Sequence, residues 1–376
     1  MGCQGNLWKF SVLNATAKVA LLQLPIIGLR RAKRLYRTFA PNPTLLVGLI
    51  VSDSALPLSL SLLRLKMALP VPHVSVSILT YNQRDLVGEA IDSVLAQRVN
   101  FPYEIIIGDD YSTDGTREVL RDYQRRHPDV IHLVLHPRRY ENEVPGRTNN
   151  MTNLACCRGK YTAMLDGDDY WTDPDKLQRQ YDRLEDNPDL SMCIHDSTIL
   201  YESGNHRGGS QTTTADFGHI KTSGVYTHSD IARSQLTAQI GTILFRTRVF
   251  SYFPEWFPQV IPADNALMLL ISQRGGVYYD SRPQAVYRVN DRSFVSVFAT
   301  QRTLTRRRIA DVELFAQVFP ETYLPVKKQK RYAYLHFRMF KWALCKGQAL
   351  RAARHFIDVC RRDPLYPVHS VTRRFL

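Results

Sequence analysis

The stretch RGKYTAMLDGDDYWTDPDKLQRQ, residues 158–180, decides the reading of this chain. Lys160 to Leu165 is an apolar run of strand length that stops at Asp166, and Gly167, Asp168 and Asp169 follow as a polar turn. From about Asp175 to Asn187, Leu177, Tyr181 and Leu184 share one helical face. A buried strand that ends in carboxylates and hands over to an amphipathic helix is a unit of an α/β sheet.

The same unit recurs upstream. Val74, Val76 and Ile78 alternate with Ser75 and Ser77, and from Asn82 onward Leu86, Ala90, Ile91, Val94 and Leu95 fall at helical spacing. Tyr103 to Gly108 is a second strand, ending in Asp109 and Asp110. Ser112 to Gly115 then turns into a helix marked by Val119, Leu120 and Tyr123. Val130 to Leu135 is a third strand, about Asn149 to Cys157 a helix, and Leu190 to Ile194 a fifth, short strand. This alternation predicts an α/β fold with a doubly wound, mainly parallel, Rossmann-like sheet, in which ligands collect beyond the carboxyl ends of the strands. The acids stand there. Carboxylates one residue apart after a strand can turn toward one hard divalent cation, Mg²⁺ or Mn²⁺, whose shell is completed by substrate phosphates. A lone Asp-x-Asp reads as a polar turn; a second acid cluster on a neighbouring strand end makes the pair a metal and diphosphate site.

Of 376 residues, 44% are hydrophobic and 22% charged, which excludes a disordered or fibrous chain. The net charge of +14 sits at the ends. Residues 1–70 hold nine Lys/Arg against the single acid Asp53, and residues 301–376 hold 17 against five. Residues 71–300 carry 29 acids against 23 bases, unlike a domain wrapped around nucleic acid. The domains expected are a basic and apolar extension over 1–70, a catalytic domain over 71–300 (nucleotide half 71–195, acceptor half 196–300) and a basic helical region over 301–376. The six cysteines form no CxxC pair, no histidine stands at zinc-site spacing from them, and they read as reduced, packed thiols of a cytoplasmic protein. His132 and His136 lie in a strand, where a spacing of four does not converge on a metal.

In the first 70 residues, Leu45 to Leu65 is long enough to span a bilayer. Asp53 and Pro57 interrupt it, and an Asp near mid-span costs about 3 kcal/mol. With Met67 seven residues before the first strand, the expectation is an appendage, or sequence upstream of the natural start, rather than a span.

VSVSILTYN at 74–82, EIIIGDDYSTDGT at 104–116 and the 158–180 stretch together resemble the family 2 glycosyltransferases, inverting enzymes of the GT-A fold. The resemblance covers about Val74 to Asn290. It implies that Leu79 and Tyr81 flank the nucleotide base, that Asp109 and Asp110 lie at the nucleotide with Asp110 accepting a base N–H, and that Asp168 lies near the ribose. It further implies that Asp166, Asp168 and Asp169 hold Mg²⁺ or Mn²⁺. The GDDYW form is similar to enzymes that build bacterial surface polysaccharide. Tyr111 stands where the family has Gly, and Gly146 to Asn150 is a loose match to an Arg/Asn segment, which carries Arg147 over to the nucleotide.

Downstream, Ser203 to Gly218 reads as a mobile acceptor-side loop, Gln235 to Arg246 as a strand, and Pro262 to Asn265 as the start of a helix through Leu270. The resemblance makes Asp264 the general base; Glu255, Asp280 and Asp291 are the competing acids. Tyr287 and Arg288 match a Tyr-Arg-x-His segment in which Asn290 replaces His. Residues 327–362 read as a helical pair broken near Gly347. Lys327, Arg331, Arg338 and Lys341 form a basic stripe on the first helix, suited to anionic lipid, and Leu350, Ala353, Ile357 and Cys360 are the apolar side of the second.

The function expected is therefore an inverting, metal-dependent transferase. It would move a sugar from a nucleotide-diphosphate sugar to a saccharide or lipid-linked saccharide, in the cytoplasm, with a peripheral location on the inner face of the membrane. A sugar nucleotidyltransferase or a dinucleotide-dependent dehydrogenase would want a Gly-rich turn after the first strand, where the chain has Thr80, Tyr81, Asn82 and Gln83. A nucleic-acid-binding protein driven by the basic ends is opposed by the acidic middle.

Overall fold

In the computed structural model the described residues are 71–140, 144–202, 211–214, 222–232, 238–249, 253–261, 263–289, 302–320, 325–364 and 366. Residues 1–70, with the apolar stretch at 45–65, lie outside them, as do Asn290, Asp291 and Pro262. Residues 71–376 make one compact unit.

The elements of the first half alternate as read from the sequence: β1 (Val74–Thr80), α1 (Val87–Leu95), β2 (Tyr103–Asp109), α2 (Thr116–Arg126), β3 (Ile131–Leu135), α3 (Arg147–Cys156), β4 (Tyr161–Asp166), β5 (Tyr170–Trp171) and α4 (Lys176–Asp186). Then come β6 (Leu190–Tyr201), β7 (Gln211–Thr214), β8 (Gly224–Tyr226), α5 (His228–Ala232), β9 (Leu244–Arg246), α6 (Ala263–Ser272) and β10 (Gly276–Val289). Three helices close the chain: α7 (Arg302–Val318), α8 (Pro325–Cys345) and α9 (Ala349–Arg362). The sheet runs β3-β2-β1-β4-β9-β6-β10-β5. β1 to β4 pair in parallel, β9 is antiparallel to both neighbours, and β10 lies parallel to β6. The sheet is mainly parallel and doubly wound, as expected.

β1, β2 and β4 are buried on both faces, which is why they read as near-continuous apolar runs. One core lies among β1, β2, β4, α1, α2 and α4, with Ile78, Ile91, Ile105, Leu165 and Leu177 fully buried. The other joins β6, β9, β10 and α6 to the C-terminal helices through Val312, Phe315, Phe319, Tyr332 and Leu335. Trp256 packs edge-on against both Phe315 and Phe319.

Four local expectations need correction. The helix after β1 begins at Val87 rather than Asn82, because Asn82 (φ +51°) and Gln83 belong to a turn held from the next strand end. Of the strand read over 235–246, the described residues 238–246 form a strand over Leu244–Arg246, preceded by a 3₁₀ turn at Ile240–Thr242. Within the expected loop 203–218, Gln211–Thr214 is a strand antiparallel to β6; the rest of that loop lies outside the described residues. On α9, Leu350, Ala353 and Ile357 face outward, while Ala352 and Val359 are the buried residues.

At the amino ends of the strands, a buried ion pair locks β1, β2 and α3 together. Arg158 Nη2 lies 2.6 Å from Glu104 Oε2, and Ser75 Oγ donates to Glu104 Oε1 at 2.6 Å. Removing one partner leaves a buried charge uncompensated, at about 3–5 kcal/mol. Arg158→Met is expected to lower stability by about that amount in chemical denaturation while leaving ligand binding at the opposite strand ends unchanged; a loss below about 1 kcal/mol refutes the locking role.

Candidate active site

The register of the parallel strands builds the site. Thr80 is opposite Asp109, and Leu79 is opposite Asp166, so three carboxyl ends finish at one level. The turn after β1 is held by the turn after β2. Ser112 Oγ accepts from Asn82 N at 2.9 Å, Thr116 Oγ1 from Gln83 N at 2.9 Å, and Asp114 Oδ2 from Arg84 N at 3.1 Å. In return Asn82 Oδ1 accepts from Thr113 N at 2.9 Å. The polar residues of STDGT thus fix a loop through side chains where other α/β sites use glycines. Tyr111, in the place of the family's Gly, has φ +65°. That conformation costs an L-residue about 1–2 kcal/mol. The Arg117 guanidinium, 5.1 Å from its ring centroid, partly offsets the strain.

Tyr81, Asp110 and Arg139 come together beside this turn. Arg139 Nη1 donates to the Tyr81 hydroxyl at 2.7 Å, its guanidinium lies 3.9 Å from the Tyr81 ring centroid, and its Nε is 3.8 Å from Asp110 Oδ2. Arg139 was missed in the sequence because it lies in a stretch with no recognisable pattern. Asp109 is buried and faces away from this group: its Oδ2 accepts from Ser112 N at 3.0 Å and from Arg117 Nε at 2.5 Å. Leu79 contributes its carbonyl, which accepts from Gly167 N at 2.7 Å.

Gly167 stands in close quarters: a Cβ would lie 3.0 Å from Thr80 Cβ and 3.1 Å from the Leu79 carbonyl, and would displace the end of the Gln83 side chain. The turn it permits closes with Asp169 N donating to Asp166 O at 3.0 Å. β5 then pairs antiparallel with Ala285 and Val286 of β10. This brings Arg288 N to Asp169 Oδ1 at 2.9 Å and Arg288 Nη1 to the Asp168 carbonyl at 2.9 Å. The Arg288 guanidinium also pairs with Glu89 and with Glu202, and lies over the Tyr170 ring.

Asp166, Asp168 and Asp169 crowd one another. Burial, then the charges of Asp168 and Asp264, push the Asp166 carboxyl up to about 8. Asp169 is driven well above the usual carboxylate range by burial and by its two neighbours, and Asp168 is raised chiefly by burial. Tyr287 faces the same group; burial and then Asp169, Asp166, Asp168 and Asp264 hold its hydroxyl protonated. Every influence on Asp166 raises it. Carboxyl oxygens are the ligand type that suits a hard divalent cation.

Asp264 stands in the first turn of α6 and is half-buried. Its charge is felt at Asp166, at Tyr287 and at Arg147. Arg147 lies on this side: it is buried, donates to the Val260 and Ile261 carbonyls, and stacks on Phe257 at 4.7 Å. Burial lowers it to about 10, opposed by Asp264 and Asp311. Among the competing acids, Asp280 is taken up by Arg282, and Glu255 is exposed.

Residues 75–233 match the family described as glycosyl transferase family 2. An uncharacterized protein of Mycobacterium tuberculosis is 37% identical over 131 residues, 35% of this chain and 37% of that protein. The putative teichuronic acid biosynthesis glycosyltransferase TuaG of Bacillus subtilis is 41% identical over 110 residues, 29% of this chain and 40% of that one. The matched segment thus spans about two fifths of these relatives' length. In structure, residues 1–349 of S. aureus TarS, crystallised with UDP-GlcNAc, superpose with a TM-score of 0.51 at 17% identity, over 77% of this chain and 81% of that one. That likeness shows the GT-A fold.

A carboxyl raised from 3.8 to about 8 favours folding fully below about pH 4, and that contribution is lost as the pH rises through 8. With a chelator present, the melting temperature of the wild type relative to Asp166→Asn is expected to fall across this window, and saturating Mn²⁺ to remove the difference in slope. Parallel curves with and without Mn²⁺ refute this account of the cluster.

Proposed function

Residues 75–233 make the chain a member of glycosyltransferase family 2, and from that premise we propose that it transfers a sugar, with inversion, from a nucleotide-diphosphate sugar to an acceptor hydroxyl. The observation that carries the reading is electrostatic: Asp264, on its own helix, acts on the same Asp166 that crowds against Asp168. This supports a reading in which Asp264 serves as base beside a cation site. In the proposed reaction the acceptor hydroxyl gives its proton to Asp264 as its oxygen bonds to the anomeric carbon, and the bond from that carbon to the diphosphate oxygen breaks. Asp166, Asp168 and Asp169 would hold Mg²⁺ or Mn²⁺, which neutralises charge on the leaving diphosphate. Tyr81 offers a ring face and Asp110 an acceptor to the nucleotide base. A base stacked on Tyr81 takes the place of the Arg139 guanidinium, which then becomes a cation for the phosphates. The similarity to TuaG, named for teichuronic acid biosynthesis, favours a saccharide acceptor.

Asp168→Asn and Asp169→Asn are expected to fold and to lose most transfer at limiting Mn²⁺, and Asp110→Ala to weaken UDP binding. Asp264→Asn should lower turnover by about 10²–10⁴ with donor binding retained. A drop below tenfold, or one explained wholly by weaker donor binding, assigns the proton to another acid.

The second half of the reading is a peripheral location on anionic lipid. Among the described residues no helix is long and apolar enough to cross a membrane. On α8, Lys341 is exposed and Arg338 half-buried, and the side chains of Lys327 and Arg331 lie outside the described residues. The stronger support comes from α9, where Leu350 is 89% and Ile357 49% exposed beside the exposed Arg351, Arg354 and Arg361. An apolar stripe with flanking arginines suits a helix lying in an anionic interface. Leu350→Ser with Ile357→Ser is expected to release the protein from phosphatidylglycerol vesicles and to leave transfer to a soluble acceptor unchanged. Equal sedimentation of variant and wild type refutes the lipid contact.

A further inference from the structure

Away from the strand ends, α8 and α9 bring three metal-ligating side chains to one point. Gly347, at φ +66°, turns the chain so that α9 packs back on α8. His336 Nδ1 of α8 then lies 3.2 Å from His355 Nδ1 and 3.6 Å from Asp358 Oδ2 of α9. His355 and Asp358, three residues apart, project side by side from one helical turn. All three ligand atoms lie within 4.8 Å of one another.

Two of these separations lie within about 0.1 Å of those that a zinc ion sets. Bonds of about 2.0–2.1 Å to nitrogen and about 2.0–2.2 Å to oxygen, at the tetrahedral angle, set zinc ligands about 3.3–3.5 Å apart. A proton shared between the imidazoles would account for the first separation and an ion pair for the second; one cation accounts for both with all three groups. We propose that His336, His355 and Asp358 form a zinc site that pins α9 to α8, with water at the fourth position. The side chains of His336 and Asp358 are 13% and 30% exposed, which leaves an entry path and room for that water. Tyr332 stacks on His336 and carries the Arg362 guanidinium 4.2 Å from its own ring centroid. That positive charge opposes a cation, and the Asp358 carboxylate offsets it. The role is structural and independent of the strand-end carboxylates, whose all-oxygen set suits a different ion.

The test uses the full chain, stripped with a chelator and loaded with Co²⁺ as a spectroscopic stand-in for zinc. A tetrahedral site with two imidazoles gives strong visible ligand-field absorption that zinc bleaches, whereas the all-oxygen carboxylate site gives weak octahedral bands. Asp168→Asn should keep the strong bands, and His355→Gln should lose them together with one equivalent of zinc in equilibrium dialysis. Weak bands alone in the unmodified chain overturn the site, whatever the variants do. So does undiminished zinc binding by His355→Gln.

Discussion

A turn of buried carboxyls governs the candidate site of this structure. Asp166, Asp168 and Asp169 sit within one turn, and Asp264 adds a fourth carboxylate from another element. In water such groups would separate, but here the strand register and the tight turn at Gly167 hold them in place. Much of the surrounding architecture works on this excess charge. β5 exists as a two-residue strand because it pairs with β10, and that pairing delivers the Arg288 backbone N–H to Asp169. The Arg288 side chain is in turn shared with Glu89 and Glu202, so the cluster is balanced only in part. The folded protein thus holds these buried carboxyls in an arrangement that disfavours their ionised form.

The nucleotide side of the site rests on a different device. Two neighbouring turns are fixed by reciprocal side-chain to backbone hydrogen bonds, with Asn82, Ser112, Asp114 and Thr116 as the partners. A loop held this way keeps Tyr81 and Asp110 in place without a phosphate-cradling glycine run. It also explains why Tyr111 tolerates a left-handed conformation: the surrounding bonds determine the backbone, and the residue accepts it.

Two of the three C-terminal helices, α7 and α8, tie the second half of the molecule to a shared core. Phe315, Phe319 and Tyr332 bury in the same core as residues of β6, β9, β10 and α6, so α6, which carries Asp264, shares its core with residues late in the chain. The buried residues of α9, Ala352 and Val359, lie outside that core, and its outer face is left for other contacts.

The sequence by itself determined the parallel half of the sheet, because strands buried on both faces must be apolar throughout and the helices between them must be amphipathic. It also determined the acidic strand ends, since the turn at Asp166–Asp169 is local and follows directly on a buried strand. What it could not settle is every feature that joins distant residues. Arg139 reaches Tyr81 across 58 positions, Asp109 turns to Arg117 rather than outward, and Arg147 goes to the carbonyls before α6. Leu350 and Ile357 satisfy a helical period equally well inward or outward, and only the packing of Ala352 and Val359 shows which face is free. The pair His336 and His355 carries no spacing signal at all. Their nitrogens meet because two helices fold against each other at Gly347, and such a meeting is a property of tertiary packing that no local pattern encodes.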